Sequence, residues 1–422
     1  MRNFWHIFIV FMKIFIRKIL ILFMILESSI NNSQTLNSPE KIRTFIVGST
    51  NNSNDIFTLN ETIQFSFDEL SLKKKNYYYK IDHYDFEWNL SDVNKSEYLD
   101  GFDDIKIKDI SYSFNTLKSY TNYKFSIPNN QIRIKESGNY KVSIVNAYGE
   151  KVTDKRFTVV DNKVPVQLGV SRTKDLENFQ TAQKIYFNVI CGNCSDLYNN
   201  YSEIKIIVRK NRNWNNFIEP KKPKYLNSEK AMYDDIIFYG GNEFNNFDIS
   251  QIKSNNYRIQ NWNLSDIYET FLVPDEFSEN EKYDYNPDIN GNFIIKTNYK
   301  ENNSYEADYI RVFFELKKSN HSPEDEIYLI GSFNDYKLNN DYKLSFNSSI
   351  NSFTGSFLFK QGFYNYKYAS KNHLNINHLK NIENDFWQTE NLYTVLIYFK
   401  KNYEKFFRVI GFNRLNSVSL KN

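Results

Sequence analysis

Short runs in which apolar and polar residues alternate one by one recur along this chain, while runs with an apolar residue every three or four do not. Over 309–316 the residues Ile310, Val312, Phe314 and Leu316 fall on one face of an extended strand, with Tyr309, Arg311, Phe313 and Glu315 on the other. Comparable runs cover 77–88, 184–190, 203–210, 357–360, 363–368, 392–400 and 406–412. They are separated by turn formers: Pro128-Asn129-Asn130, Ser137-Gly138-Asn139, Asn290-Gly291, Ser332-Phe333-Asn334-Asp335 and Gln361-Gly362. The chain holds 36 Phe and 32 Tyr, residues that suit a pleated, half-buried surface. Many short strands at this spacing predict an all-β protein of tandem immunoglobulin-like sandwiches.

A length of 422 residues suits two or three domains of ordinary size. Two polar breaks divide it: Val160-Asp161-Asn162-Lys163-Val164-Pro165, where a strand runs into a proline-bearing linker, and Lys300-Glu301-Asn302-Asn303-Ser304. The expected segments are therefore 1–34, 35–162, 163–302 and 303–422. The first reads as a secretory signal. Arg2, Lys13, Arg17 and Lys18 precede the apolar run 19–26, and the polar residues Glu27-Ser28-Ser29 follow. That run is shorter than the roughly 20 residues a membrane span needs. An uncleaved anchor starting upstream is the alternative, and Met12 could equally be the start. No Cys follows the run, which argues against a lipoprotein anchor.

Without residues 1–34 the chain loses four basic residues and one acidic residue, leaving 49 of each sign and no net charge. Such a chain has no field to draw in a phosphate backbone, so nucleic acid is not an expected partner. No second long apolar segment follows, so no transmembrane segment is expected in the mature chain.

Catalytic chemistry finds little to stand on. Nucleophilic catalysis needs a base beside the nucleophile, and the histidines after the signal are His83, His321, His373 and His378, none beside a G-x-S-x-G or H-E-x-x-H pattern. His83 lies inside a strand run and reads as structural. The cysteines are Cys191 and Cys194, separated by Gly-Asn after a strand run; a local disulfide and two idle thiols both fit better than redox catalysis, and zinc lacks further ligands. Asp288-Ile289-Asn290-Gly291-Asn292 has oxygen ligands at calcium-loop spacing, but its glycine is misplaced and the twelfth position is Tyr299. A type I′ hairpin turn at Asn290-Gly291 explains it better. Asp100-Gly101-Phe102-Asp103-Asp104 reads as an ordinary loop. Paired glycosidase carboxylates are possible anywhere in the chain, but nothing singles out a pair. No metal and no cofactor is expected. Gly240-Gly241 is followed by Asn242-Glu243-Phe244, not by the basic residue and helix of a phosphate loop, so a bend between strands is expected there.

The stretch Tyr239-Gly240-Gly241-Asn242-Glu243-Phe244-Asn245-Asn246-Phe247-Asp248 resembles a signature of the plug-protein family of the Bacteroidetes type IX secretion system. In the same order, 77–89, 97–102, 212–216, 288–293, 306–309 and 388–393 also resemble segments of that family, over nearly the whole mature chain. Tyr84 departs from the family pattern, which has Cys there. Within the resemblance, 327–336 and 362–368 are similar to the glycogen-binding type of early-set immunoglobulin-like domain, with Tyr336 where that type usually has Trp. The resemblance implies a non-enzymatic periplasmic protein. It would dock on the outer-membrane translocon β-barrel, of SprA/Sov type, and close its periplasmic mouth when no substrate is in transit. Trp88, Gly240, Gly241, Phe244, Gly331, Phe333, Gly362 and Tyr364 are then signature positions with structural roles. The alternative is a periplasmic carbohydrate-binding module in which Tyr364, Tyr366 and Tyr368, on one strand face, stack on sugar.

Overall fold

A computed structural model describes residues 42–48, 53–276, 282–298, 302–317, 322–371, 380–381 and 383–417. The expected signal at 1–34 and His321, His373 and His378 lie outside them. The chain from Ile42 onward forms one compact unit, and its regular structure is almost entirely strand. The few helices have three or four residues each, as the missing helical periodicity predicts.

Two sheets enclose a first aromatic core. One is ordered Ile42–Gly48, Ile63–Glu69, Thr121–Ile127, Asp109–Tyr112; the other Ile56–Thr58, Lys151–Val160, Gly138–Val145, Tyr78–Tyr84, Ile105–Lys106. Inward positions supply Phe65, Phe67, Tyr77, Tyr79, Tyr123, Tyr140 and Phe157. Tyr79 stacks on Phe125 with centroids 4.2 Å apart. A large aromatic ring removed from water contributes on the order of 2–3 kcal/mol, so this layer is the main source of stability for residues 42–160.

A second pair of sheets follows the linker, and it draws on distant sequence. Val166–Arg172, Ala182–Ile190, Lys230–Tyr239 and Tyr225–Leu226 form one sheet; Phe217–Ile218, Ile204–Lys210, Leu392–Phe399 and Arg408–Asn416 form the other. Ile204 pairs with Phe399 and Lys210 with Tyr393. Tyr393, Val395 and Ile397 pack with Ile185, Phe187 and Val208 in a single core. The sheets thus run across the boundary expected at residue 302: the last two strands do not join the core built by 309–368.

That third core lies within a 10-stranded sheet whose path runs from Asn245–Asp248 through Gly362–Lys371, Glu326–Ile330, Lys343–Asn347, Ser352–Lys360, Tyr309–Lys317 and Tyr268–Leu272 to Ile259–Leu264. Phe247, on the first strand of this path, meets Phe314 at 5.6 Å and Phe359 at 5.2 Å. Contact between strands so far apart in the order requires the sheet to curl around its own core. Tyr364, Tyr366 and Tyr368 all point into it and are at most 2% exposed. The hydroxyls of Tyr366 and Tyr368 donate to Asp275, which Arg258 pairs at 2.6 Å. No face of these three rings is open to stack on a sugar.

The three bodies are tied by buried ions. Asp68 of the first and Lys360 of the third meet at 2.6 Å, with side chains 1% and 3% exposed. The Lys360 ammonium also donates to the Ser304 carbonyl at 2.7 Å and lies over the Tyr120 ring. Tyr309 Oη donates to Asp68 at 2.8 Å, and Asn122 Nδ2 donates to its other oxygen at 2.7 Å. Burial lowers the Lys360 pKa, opposed by the Asp68 charge. Between the first and second bodies, the fully buried Arg209 reaches Asp55 at 2.6 Å and Arg414 reaches it at 3.2 Å.

Candidate functional site

Tyr239 ends a strand of the second body and Asn245 begins one of the third, so 240–244 must carry the chain from one sheet to another. Gly241 sits at φ 73°, in the left-handed region, while a Cβ on Gly240 would collide with the carbonyl oxygen of Phe386. The backbone here is fully engaged. Gly240 N–H donates to Thr181 O at 2.7 Å, and Gly241 N–H to Asp385 Oδ1 at 2.8 Å. The Gly240 carbonyl accepts from Lys210 Nζ at 2.7 Å and Asn391 Nδ2 at 2.9 Å; the Gly241 carbonyl accepts from Thr389 Oγ1 at 2.7 Å. A phosphate cradle needs free N–H groups. Here both glycine donors are spent inside the protein, so the pair is a bend whose carbonyls are held by Lys210 and Asn391 on Gly240 and by Thr389 on Gly241.

A cleft of about 690 Å³ opens beside this bend, lined among others by Lys210, Trp214, Phe244, Tyr336 and Lys367. Burial lowers Lys210 to about 7, aided by the neighbouring Lys367 charge. Lys367 donates to the Asn242 carbonyl at 2.7 Å and pairs Glu383; burial raises Glu383. Asp288 is pushed up to about 7 by burial, although the N–H groups of Phe244 and Asn290 donate to its carboxylate. These acids and bases are each committed to a backbone group or an ion pair, which fixes the crossover. Among the described residues no group of three or more His, Cys, Asp or Glu is arranged to hold a metal.

The remaining sequence-singled residues are scattered. Phe244 is buried at the cleft wall, 6.5 Å from Tyr336. Gly331 and Gly362 each lie where a Cβ would meet backbone, Asn365 O and Ile294 O respectively. Phe333 packs edge-on to Tyr364 at 6.2 Å inside the third core. Trp88, at φ 67°, stacks edge-on with Trp214 of the second body at 5.0 Å. Cys191 and Cys194 are joined in a disulfide. Asn290 and Gly291 both have positive φ, and Asn292 N–H closes the turn onto Ile289 O at 3.2 Å; this is the backbone of a type I′ turn, though no strand precedes it, so it joins no hairpin. His83 is buried against Tyr98, Tyr140 and Phe406, with Nδ1 2.8 Å from Ser91 Oγ. Burial brings its pKa down to about 4, which keeps it neutral and structural. In the loop at 100–104, Asp100 pairs Arg133 and Asp103 pairs Lys95.

Sequence reasoning gave no role to Lys210, Lys367 or Asn391, and it weighed Asp288 as a calcium ligand, not as the acceptor for the Phe244 and Asn290 N–H groups that it is. The one signal for Lys210 was two successive cations, Arg209-Lys210, closing a strand directly after the apolar run Ile206-Ile207-Val208.

Comparison with known proteins bears on the first sandwich and on the fold. A family model described as the type 9 secretion system plug protein 1st domain matches residues 42–161. A crystal structure of a hypothetical protein from Parabacteroides merdae superposes with a TM-score of 0.82 and 26% identity, covering 89% of this chain and 97% of that one. A Pseudomonas fluorescens alkylpurine DNA glycosylase bound to DNA aligns over 29% of this chain at a TM-score of only 0.17. No curated protein matches. The residues matched by the family model are those of the first aromatic sandwich, so it is this sandwich that is similar to the first domain of the type 9 secretion system plug protein.

Proposed function

We propose that this protein is a non-enzymatic periplasmic plug. It docks on the outer-membrane translocon barrel of the type IX secretion system and occludes the periplasmic opening while no substrate passes. The observation that carries this reading is the plug-family domain at 42–161, clamped to the rest of the body by the buried Asp68–Lys360 and Asp55–Arg209 pairs. An obstruction must hold its shape. A body whose parts are joined by desolvated, hydrogen-bonded ion pairs resists hinge motion better than one joined by linkers alone.

In this reading residues 1–34 export the chain, and three immunoglobulin-like sandwiches form its domains. The middle one is completed by 392–416. Trp88, Gly240, Gly241, Phe244, Gly331, Phe333, Gly362 and Tyr364 serve the packing of that body and touch no substrate. The burial of Tyr364, Tyr366 and Tyr368 counts against a carbohydrate-binding role. Affinity capture with the tagged chain from outer-membrane extracts tests the proposal: the translocon barrel should co-purify. Capture that never contains the barrel, in extracts where the barrel is abundant, defeats it.

A further inference from the structure

A pocket of about 250 Å³ lies where all three bodies meet. It adjoins the cleft beside Gly240 and shares Trp214 and Tyr336 with it. Its walls hold more positive charge than they neutralise. Asp55 already serves both Arg209 and Arg414, and Asp335 serves both Lys155 and Lys337. Arg156 and Arg212 line the same pocket with no carboxylate ion pair among the described residues. Arg156 stacks over Trp88 at 4.7 Å. Arg212 donates Nη1 to the Ser53 carbonyl at 3.2 Å, while its Nε is buried without a partner. Asp154, the other acid near Arg156, is taken by Lys151 at 2.8 Å.

Desolvated positive charge in excess of its carboxylates is costly unless a counterion is supplied. The local titration behaviour agrees with that excess. Burial lowers Arg414 to about 10 and lowers Arg156 as well, while Asp55, against its own burial, is held at about 2 by Arg209, Arg414 and Arg212. The backbone around the pocket is also unusual. Asn211 and Arg212, then Asp335 and Tyr336, form two pairs of consecutive left-handed residues, with φ of 51°, 58°, 55° and 55°. Left-handed geometry is uncommon for Arg and Tyr, and such outliers cluster where loops hold a ligand. The Tyr336 hydroxyl is buried with no partner.

We propose that this pocket binds an oxyanion between the guanidinium groups of Arg156 and Arg212, beside the Trp214 ring. Planar guanidinium forks match carboxylate and sulfate oxygens, and the volume admits one such group with a short stem. The oxyanion is either a free inorganic anion or the side-chain carboxylate of an acidic peptide; the chemistry at the two arginines is the same. The inference rests on charge and geometry and is independent of the plug reading.

The test is a thermal-shift and calorimetric titration of the purified protein with sodium sulfate and, separately, with hexaglutamate, each against sodium chloride at matched ionic strength. A saturable response beyond the chloride control is expected. Its midpoint should weaken about tenfold or more in Arg156→Gln and in Arg212→Gln, since each loses a charge-assisted pair of hydrogen bonds. Saturation by sulfate at concentrations no higher than hexaglutamate identifies a free anion; saturation by hexaglutamate alone identifies a peptide carboxylate. Lys337→Gln changes a side chain that is 55% exposed, so it should fold normally and weaken the midpoint a few-fold. That variant and the wild-type titration decide the matter if an arginine variant does not fold. A response no larger than the chloride control, or midpoints unmoved by the substitutions, overturns the proposal.

Discussion

Replacing Asp68 by Ala is the most informative single perturbation of the scaffold. It strips a buried ammonium of its 2.6 Å partner and leaves Lys360 with the Ser304 carbonyl and the Tyr120 ring in a site 3% exposed. It also removes an acceptor from Tyr309 and from Asn122. Breaking a buried pair from one side costs about 3–5 kcal/mol, because the remaining charge stays desolvated. At about 2 °C per kcal/mol for a protein of this size, the melting temperature should fall by roughly 6–10 °C. Removing both charges together, as Asp68→Leu with Lys360→Met, should recover most of the loss and remain within about 2 kcal/mol of wild type. The residue of that cost is the Tyr309 hydroxyl, which keeps Thr44 at 2.7 Å. Urea unfolding of the wild type, both single variants and the double variant closes the cycle. A loss below about 1 kcal/mol in Asp68→Ala, or a double variant as unstable as the two singles summed, refutes the claim that this pair clamps the first body to the third.

Two further outcomes follow from the crossover. Gly240→Ala should cost roughly 3 kcal/mol or more, since its Cβ meets a backbone carbonyl, whereas Gly241→Ala, strained by φ 73° but with its Cβ only in ordinary contact with Lys210 Nζ at 3.4 Å and Lys367 Nζ at 3.8 Å, should cost about 1–2 kcal/mol; the reverse order in denaturant midpoints contradicts the assignment. Lys210, at about 7 when folded against 10.5 when free, binds fewer protons in the folded state than in the unfolded state between those values. Stability should therefore rise with pH across 7.5–9.5, at up to about 1.4 kcal/mol per unit from this group. Lys210→Met should flatten that slope, and a variant with the wild-type slope rules Lys210 out as its source.

Much of the strand content was open to sequence reading because alternation is a local signal. The run at 309–316 became the strand Tyr309–Lys317 with Ile310, Val312, Phe314 and Leu316 buried as the pattern predicts. Tyr309 was placed on the face opposite these and is nevertheless buried, because its end of the strand meets the first body, where Asp68 and Thr44 engage its hydroxyl. Alternation put Tyr364, Tyr366 and Tyr368 on one strand face, and that face is buried, while the bend at Gly240-Gly241 was expected from the absence of a helix or basic residue after it. Partnership over distance was hidden. Nothing near Asp68 points to a lysine 292 positions away, and nothing in 392–399 tells which sheet will accept it, since a buried strand fits any sheet with a matching edge. The lysines of the crossover were hidden for the same reason: with 53 Lys and Arg in the chain, a cation is informative only once its carbonyl partner is known.

The proposed role of this body is to obstruct a pore. Ion conductance of the purified translocon barrel in a planar bilayer, recorded before and after adding the protein on the periplasmic side, tests it most directly. With a plug, open-pore current falls toward baseline in a saturable manner and returns on washout. Current that stays unchanged at saturating protein would contradict it.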